Sequence, residues 1–214
     1  MFKNREEAGK ILGNKLKVLL DENKIKDPVI VAIPRGGIAI GKEVAKILNA
    51  PMDILFIKKI PAPNNEELAI GSISENGLVF LNQEFVNSLN VDEEYIRNTG
   101  IEKIQEIARL RDKYKIEPIM LEDKDVILVD DGIATGASMF LAAQSIVRDR
   151  PRNVIIASPV APNDNQIFEM LKSVSHHLEI LETPNMFMSV GKWYDDFHQL
   201  SDKEVKELLE EVKN

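Results

Sequence analysis

The stretch Val126–Ser138 limits the possible folds more than any other part of the chain. Its first four residues are apolar, the carboxylates Asp130 and Asp131 follow, and a loop of small residues leads into a helical pattern. An unbroken apolar run of this kind is typical of a strand that is buried on both faces of a parallel sheet. Ligands of such sheets bind outside the carboxyl ends of the strands. We therefore expect both carboxylates and the loop 132–138 to lie at a ligand site.

Apolar segments and helical patterns alternate along most of the chain. Asn4 and Glu7 form a capping box at the start of the first helix, within residues 1–22, to which we assign a packing role. Further predicted strands cover Val29–Ile33, Asp53–Ile57, Val154–Ser158 and Leu178–Leu181, and further predicted helices cover Ile38–Leu48, Asp92–Tyr114, Gly136–Val147, Asn163–Leu171 and Ser201–Val212. This alternation predicts an α/β architecture with a mainly parallel sheet flanked by helices.

The segment 58–81 interrupts the alternation. Lys58 and Lys59 end the second strand, and Ile60–Leu68 is rich in Pro and Asn without any periodicity, which predicts a mobile surface loop. An Asn-Gly turn signal then predicts a peripheral antiparallel hairpin made by Ala69–Ile73 and Leu78–Leu81.

Composition excludes several classes of protein. The chain has no cysteine and therefore no disulfide, and no apolar run approaches the length of a membrane span, so we expect a soluble, cytoplasmic protein. The net charge of −8 argues against nucleic-acid binding, which depends on basic surface. We interpret the basic cluster Arg109, Arg111 and Lys113 as a solvated helix face.

The residue types around Asp130 and Asp131 suit a particular ligand. Adjacent carboxylates can hold a metal ion, accept hydrogen bonds from a diol or share a proton. Gly132 and Gly136 let backbone amides approach a ligand, and Thr135 adds a hydroxyl at the start of a helix, where anions bind. Diol acceptors beside a phosphate cradle suggest a ribose 5-phosphate moiety, whereas the simpler alternative is an ordinary strand, turn and helix.

The string 130–138 resembles the phosphoribosyl pyrophosphate (PRPP) signature of type I phosphoribosyltransferases. The turn 35–37, Arg-Gly-Gly, resembles the pyrophosphate-binding loop of this family, and the lysine pair 58–59 resembles the basic pair before its flexible catalytic lid. The segments Pro-Arg-Gly-Gly, Glu-Leu-Ala-Ile-Gly and Trp-Tyr-Asp-Asp-Phe are similar to those of predicted phosphoribosyltransferases of bacteria and archaea. The resemblance implies one domain over residues 1–214, with the family's Rossmann-like sheet, a peripheral hairpin and a small C-terminal hood over residues 182–214.

The resemblance also implies roles for individual residues. Asp130 and Asp131 would accept the ribose hydroxyls and approach Mg²⁺ through those hydroxyls or through water, and both would be catalytic together with Lys59 and Arg35. The side chains Trp193 and Tyr194 would bind the acceptor base. PRPP would be bound by Arg35, Gly36, Gly37, Lys58, Lys59, Asp130, Asp131, Gly132, Ile133, Ala134, Thr135, Gly136, Ala137 and Ser138.

The implied reaction is a Mg²⁺-dependent transfer of phosphoribosyl from PRPP to a small nitrogenous acceptor, with release of pyrophosphate, by a possible homodimer. Oxopurine-salvage members of the family carry an Asp where this chain has Ala134, and a Lys where it has Ser158-Pro159, so hypoxanthine and guanine are disfavoured and the acceptor stays open. Two alternatives remain: a non-catalytic regulatory protein that binds PRPP on the same fold, and an unrelated metal-dependent phosphate-ester enzyme.

Overall fold

The computed structural model describes residues 1–213, in which the strands form two sheets of different kinds. A five-stranded sheet, parallel throughout, has the order β2-β1-β6-β7-β8, and a three-stranded antiparallel sheet has the order β3-β4-β5. The strands are β1 (Pro28–Ala32), β2 (Met52–Ile54), β3 (Ile57–Ala62), β4 (Asn65–Ser74), β5 (Val79–Leu81), β6 (Asp125–Val129), β7 (Asn153–Val160) and β8 (His177–Glu182).

Helices cover both faces of the parallel sheet. Ile127 and Val129 of β6 pack with one set of helices, and Val126 and Leu128 pack with another, so every residue of this strand is buried. This burial explains the unbroken apolar run and confirms the predicted α/β architecture. The helices are α1 (Arg5–Asp21), α2 (Gly36–Leu48), α3 (Gln83–Ser88), α4 (Glu93–Tyr114), α5 (Ala137–Val147), α6 (Asn165–Lys172) and α7 (Asp202–Lys213), with a 3-10 turn at Val190–Trp193. Helices α1, α2 and α7 pack on the Val129 face, and α5 and α6 on the other.

The helix starts follow the predicted capping chemistry. The Asn4 side chain accepts a hydrogen bond from Glu7 N at 2.9 Å at the start of α1. Before α7, Ser201 Oγ accepts from Glu204 N at 3.3 Å while Ser201 N donates to Glu204 Oε2 at 2.8 Å. No helix within residues 1–213 combines the length and the apolar character that crossing a membrane requires.

The predicted mobile loop Ile60–Leu68 is wrong, because β3 and β4 run through it. The two strands pair antiparallel from Ile57 and Ser74 to Ala62 and Asn65, and only Pro63-Asn64 forms the turn. The predicted strand Asp53–Ile57 is also divided: β2 ends at Ile54 in the parallel sheet, and β3 begins at Ile57 in the antiparallel sheet. The hairpin predicted after this segment is confirmed as β4 and β5.

Arg111 joins the two sheets, so interpreting it as part of a solvated face was wrong. Its Nη2 donates to Ile54 O at 2.7 Å and to Glu75 Oε1 at 2.8 Å, and it lies 3.3 Å from Asp53 Oδ1. Glu75 follows β4, whereas Asp53 and Ile54 belong to β2. The ion pairs therefore hold the antiparallel sheet in place beside the parallel sheet.

Candidate active site at the carboxyl edge of the parallel sheet

The loop after β6 encloses a small polar cavity. The cavity has a volume of about 140 Å³, and its lining includes Asp130 and the start of α5. Ile133 N donates to Val160 O of β7 at 2.8 Å, which fixes the loop against the neighbouring strand. The lining residues are Asp130, Gly132, Ile133, Ala134, Thr135, Gly136, Ser138 and Met139. The structure thus gathers nearly all of the predicted phosphate loop around one space.

Gly136 shapes this loop in a way that other residues would not permit. It has φ of 77°, in the left-handed region, and a Cβ on it would lie 2.7 Å from Met170 Cε of α6. The turn at Gly136 leads directly into α5, whose first turn contains Ala137 and Ser138. The unpaired amides and the dipole at this helix start favour an anion in the cavity.

The two adjacent carboxylates occupy different environments. Asp130 lines the cavity, and its Oδ1 accepts a hydrogen bond from Asp131 N at 2.8 Å. Asp131 is largely covered, because its Oδ2 accepts from Arg5 Nε at 2.7 Å in an ion pair whose side chains are 10% and 14% exposed. The first helix therefore reaches the candidate site and does more than pack, contrary to the sequence-based assignment.

Arg5 is held on three sides. Besides its bond to Asp131, its Nη1 donates to His198 O at 2.9 Å, and its guanidinium carbon lies 3.9 Å from the centre of the Phe197 ring. Tyr194 donates its hydroxyl hydrogen to Asp131 O at 2.5 Å. The start of the chain and the segment 194–198 thus meet at Asp131.

Sequence reasoning overlooked Arg5, although its position carried a signal. Ala8, Leu12 and Leu16 form the buried stripe of α1, and Arg5 continues that stripe toward the start of the helix. A charged residue at such a position is buried and requires a partner of opposite charge. The sequence alone did not identify that partner, which lies 126 positions away.

Burial changes the protonation of the acid pair. It raises the pKa of Asp130 well above the ordinary value, and the adjacent charge of Asp131 raises it further. Burial also raises the pKa of Asp131, and the Arg5 guanidinium opposes that rise. Burial beside these carboxylates raises the pKa of Tyr194 as well, so its hydroxyl stays protonated as a donor. A ligand that donates hydrogen bonds would favour the ionised form of the pair.

The glycine pair Gly36 and Gly37 lies against this acid pair. A Cβ on Gly36 would fall 1.8 Å from Asp131 Oδ2, and one on Gly37 would fall 2.8 Å from Val129 O. Any larger residue at position 36 would displace the Asp131 carboxylate, so the close approach of Asp131 to the backbone of residue 36 depends on glycine. The Pro34–Arg35 peptide bond in this turn is cis.

The Arg35 side chain contacts the C-terminal part of the chain. Its Nη1 donates to Leu200 O at 2.8 Å, and its Nη2 lies 3.1 Å from Asp202 Oδ1. Asp202 also accepts from the Tyr114 hydroxyl at 2.8 Å and from Lys113 Nζ. The backbone of the Arg-Gly-Gly turn therefore adjoins the acid pair, whereas its guanidinium is bound to the start of α7.

Lys58 and Lys59 lie on opposite faces of the antiparallel sheet. Lys58 pairs with Ile73 on the face toward α4, where its Nζ is 3.6 Å from Glu106 Oε2. Lys59 pairs with Ser72, which in turn pairs with Phe80, and directly paired residues share a face. The Phe80 ring lies 5.9 Å from the Phe140 ring of α5, so Lys59 is on the face toward the helix that begins at the cavity.

Trp193 and Tyr194, the predicted base-binding residues, belong to the segment 190–198, which lies over Asp131 and is called the covering segment below. Tyr194 is only 5% exposed, and its ring lies 5.1 Å from Phe197 and 5.5 Å from Phe2. Trp193 is half-buried and packs against the core cluster to which α1 and α2 contribute. A Cβ on Gly132 would lie 2.3 Å from Val190 Cγ1, so this segment does reach the predicted phosphate loop 132–138.

The donor set at the cavity suits a hard cation that also has ligands from a substrate. Carboxylate oxygens of Asp130 and hydroxyls of Thr135 and Ser138 are the ligand types that Mg²⁺ prefers. Within residues 1–213, no group of three or more His, Asp or Glu side chains is arranged to hold a metal ion. A magnesium ion here would therefore take most of its ligands from substrate oxygens and water.

Comparisons with known proteins agree with this geometry. A model of the phosphoribosyl transferase domain matches residues 2–175. A Mycobacterium tuberculosis (strain H37Rv) protein named "Putative phosphoribosyl transferase" is 33% identical over 212 residues, which are 98% of this chain and 46% of that protein. The chain thus spans about half the length of the curated relatives it matches.

Two solved structures share the fold. TT1426 from Thermus thermophilus matches with a TM-score of 0.78 and 31% identity, covering 98% of this chain and 97% of that chain. The AQ2163 protein from Aquifex aeolicus matches with a TM-score of 0.50 and 16% identity over 83% of this chain and 73% of that chain, a likeness of fold alone. From the domain match and the relative at 33% identity, together with a parallel sheet that ends in the expected acid pair and loop, we conclude that this chain belongs to the phosphoribosyl transferase family and has the type I fold.

Proposed function

We propose that the protein is a Mg²⁺-dependent phosphoribosyltransferase that uses PRPP as its donor. One observation carries the proposal: Asp130 and the start of α5 line the same cavity of about 140 Å³. A carboxylate accepts hydrogen bonds from a diol, and a helix start binds a phosphate. Ribose 5-phosphate joins these two groups in one molecule, and PRPP contains it.

The remaining residues suit the pyrophosphate. The backbone amides of Gly36 and Gly37 would donate hydrogen bonds to it, for which Gly37 N would have to leave Ile33 O at 3.1 Å. The Arg35 guanidinium and the Lys59 ammonium would neutralise its charge, and Lys59 is preferred to Lys58 because of its face. Arg35 would have to leave Leu200 and Asp202 to do so. When bound, Mg²⁺ would supply further charge neutralisation, held by pyrophosphate and ribose oxygens near Asp130 and Asp131.

The chain would act on the reaction mainly by positioning and by charge. The bond between C1 of the ribose and the pyrophosphate oxygen breaks, an acceptor nitrogen forms the new bond to C1, and the nitrogen loses its proton to solvent. Asp130 and Asp131 would fix the sugar through its hydroxyls while the loop 132–138 holds the 5-phosphate. Closure of the site against water would protect the cation-like sugar from hydrolysis.

The acceptor is less defined than the donor. Ala134 is exposed at the cavity and has no group that could handle a purine proton, and Ser158 is fully buried with its Oγ 3.3 Å from Val160 O. Adenine, orotate and other nitrogenous compounds remain candidates. The lack of a proton-handling group at 134 also favours the alternative, a regulatory protein that binds PRPP without catalysis. We further propose that the protein is cytoplasmic. We also propose that it forms a homodimer, and native mass spectrometry would test this oligomeric state.

Calorimetry with PRPP tests the donor assignment. We expect PRPP to bind when Mg²⁺ is present and to bind far more weakly after Asp130→Asn, because the variant replaces a charged diol acceptor. Asp149→Asn, which changes an exposed carboxylate outside the cavity, is the matched control and should bind as the parent protein does. Absence of PRPP binding to the intact protein would overturn the proposal.

A screen for pyrophosphate release then separates the enzyme from the regulator. The protein, PRPP and Mg²⁺ are combined in turn with adenine, orotate, hypoxanthine, guanine and other nitrogenous compounds. Release that depends on one acceptor identifies the transferase and its substrate. PRPP binding without release for any acceptor would instead support the regulatory alternative.

A further inference from the structure

The contacts of Arg5 point to a role in the donor site, and this inference rests on the proposed function. The Arg5 guanidinium holds Asp131 Oδ2 at 2.7 Å, and Asp131 N donates to Asp130 Oδ1 at 2.8 Å, so the two carboxylates are close neighbours. Two adjacent carboxylates repel each other when both are ionised. Without a cation on its far side, Asp131 would be free to turn away from Asp130.

Packing alone does not account for an arginine at position 5. The position continues the apolar stripe of α1, where a residue such as Leu12 packs without any cost of burying a charge. Burying an ion pair is often no better for stability than burying apolar residues of similar size. The Phe197 ring and the His198 carbonyl fix the guanidinium on its other sides, so its position relative to Asp131 is closely defined.

We propose that Arg5 is a positioning residue for the ribose hydroxyls: it holds Asp131 beside Asp130, so that the two carboxylates together recognise the diol of the donor. The N-terminal helix then belongs to the donor site, although its own side chains are outside the phosphate cavity. Gly36 limits Asp131 on a further side, since a Cβ there would lie 1.8 Å from Oδ2. Asp131 is thus confined by a cation, by a glycine backbone and by its neighbouring carboxylate.

The test measures discrimination between two sugars rather than overall affinity. Calorimetry would give the affinities of the protein for ribose 5-phosphate and for 2-deoxyribose 5-phosphate, which share the phosphate but differ in one hydroxyl. We expect the parent protein to prefer ribose 5-phosphate about tenfold, the effect of one hydrogen bond to a charged group. Arg5→Gln should bring this ratio close to one, and Arg5→Lys should give an intermediate ratio because an ammonium lacks the planar fork.

The control variant is Lys10→Gln, which removes an exposed cation from the same helix and should keep the parental ratio. If Arg5→Gln leaves the ratio unchanged, whether or not both affinities fall, Arg5 is a structural residue and the proposal is overturned. If Arg5→Gln does not fold, Arg5→Lys and Phe197→Leu decide in the same way, because Phe197→Leu removes the ring beneath the guanidinium and keeps every charge.

The behaviour of the parent protein distinguishes a failure of the proposed function from a failure of the role of Arg5. If it does not bind ribose 5-phosphate, or binds both sugars equally, the assignment of the diol to Asp130 and Asp131 fails, and the role of Arg5 fails with it. If the parent discriminates and Arg5→Gln discriminates equally well, only the role of Arg5 fails and the proposed function stands.

Discussion

At the scale of single residues, the acid pair combines one carboxylate that is poorly compensated with one that is paired. Burial raises the pKa of both residues, but it raises that of Asp130 well above the ordinary value, whereas the Arg5 guanidinium 2.7 Å from Asp131 opposes the rise there. Ligand sites commonly retain such unfavourable charges because the ligand supplies the missing partners. Removal of the Asp130 charge should therefore favour the folded state more than removal of the Asp131 charge.

Asp130→Asn should stabilise the protein at neutral pH. An unfolded Asp has a pKa of about 3.9, and the folded value is higher, so ionisation lowers stability as the pH rises through the interval between them. Asparagine removes this loss, and we expect the melting temperature at pH 7 to rise by about 2–4 °C, or roughly 1 kcal/mol. Calorimetric melting at pH 7 and near pH 3.5 checks this, since the gain should shrink toward zero as the carboxyl becomes protonated in both states.

Asp131→Asn is the contrasting variant in the same measurement. It removes the carboxylate that pairs with the Arg5 guanidinium. The Arg5 side chain, which is only 10% exposed, is then buried without that partner. Removal of one partner from a buried pair costs roughly 3 kcal/mol or more, which offsets what is gained by removing the buried Asp131 charge, so the melting temperature should be lower than that of Asp130→Asn. Similar melting temperatures for both variants would contradict the distinction between the two carboxylates.

At the scale of elements, the antiparallel sheet explains why the predicted loop Ile60–Leu68 is wrong and how Lys58 differs from Lys59. β3 is an edge strand, so it tolerates Pro61, and the pairing with β4 shifts register at that residue. Pro and Asn therefore occur in a paired strand without the alternation by which strands are recognised. The same pairing separates Lys58 from Lys59, which the sequence alone left equivalent.

Lys59→Gln should impair PRPP binding more than Lys58→Gln. Lys59 lies on the face toward α5, whereas Lys58 faces α4 and Glu106. If pyrophosphate is held by Lys59, its loss should weaken PRPP binding about tenfold, which corresponds to one charge-assisted hydrogen bond. Calorimetry with PRPP and Mg²⁺ compares the two variants. An equal or larger effect of Lys58→Gln would contradict the assignment by faces.

The fold was predictable because its signals are local, and the site was predictable only in part. The apolar run before Asp130, the glycines after it and the capping boxes each lie within a few residues of the element they define. The contacts of Arg5, Arg35 and Arg111 depend instead on residues 126, 165 and 57 or 58 positions away. No periodicity encodes such distances. The resemblance to a family supplied the order of the loops but not the ion pairs behind them.

At the scale of the whole molecule, charged contacts join the covering segment to the C-terminal helix. The His198 ring lies 3.0 Å from Asp196 Oδ1 through Nδ1 and 2.8 Å from Glu204 Oε1 through Nε2. These carboxylates raise the pKa of His198, first Asp196 and then Glu204. The His198 carbonyl also accepts a hydrogen bond from Arg5, which pairs with Asp131. The contacts that attach α7 are therefore connected through His198 and Arg5 to the acid pair.

The attachment of α7 should weaken at alkaline pH. A histidine whose folded pKa is raised contributes its stability fully below the unfolded pKa of about 6.5 and loses it as the pH rises through the folded value. Amides of α7, corrected for intrinsic exchange, should therefore exchange a few-fold faster at pH 9 than at pH 6 relative to those of α4. His198→Asn should remove this difference. A parent protein with the same relative exchange at both values would contradict the role of His198.

The meeting of distant segments at Asp131 has a consequence for how the chain folds. The bond from Arg5 to Asp131 closes a loop of 126 positions, and the bond from Arg5 to His198 closes one of 193. Closing the longer loop costs more conformational entropy, so the contact between Arg5 and His198 is the less favourable of the two to form early. An intermediate with its parallel strands paired but α1 and the segment 194–198 undocked would leave the adjacent Asp130 and Asp131 without a counter-charge. The neutral, protonated pair would be favoured in that intermediate, which makes mildly acidic conditions the more favourable ones for its formation.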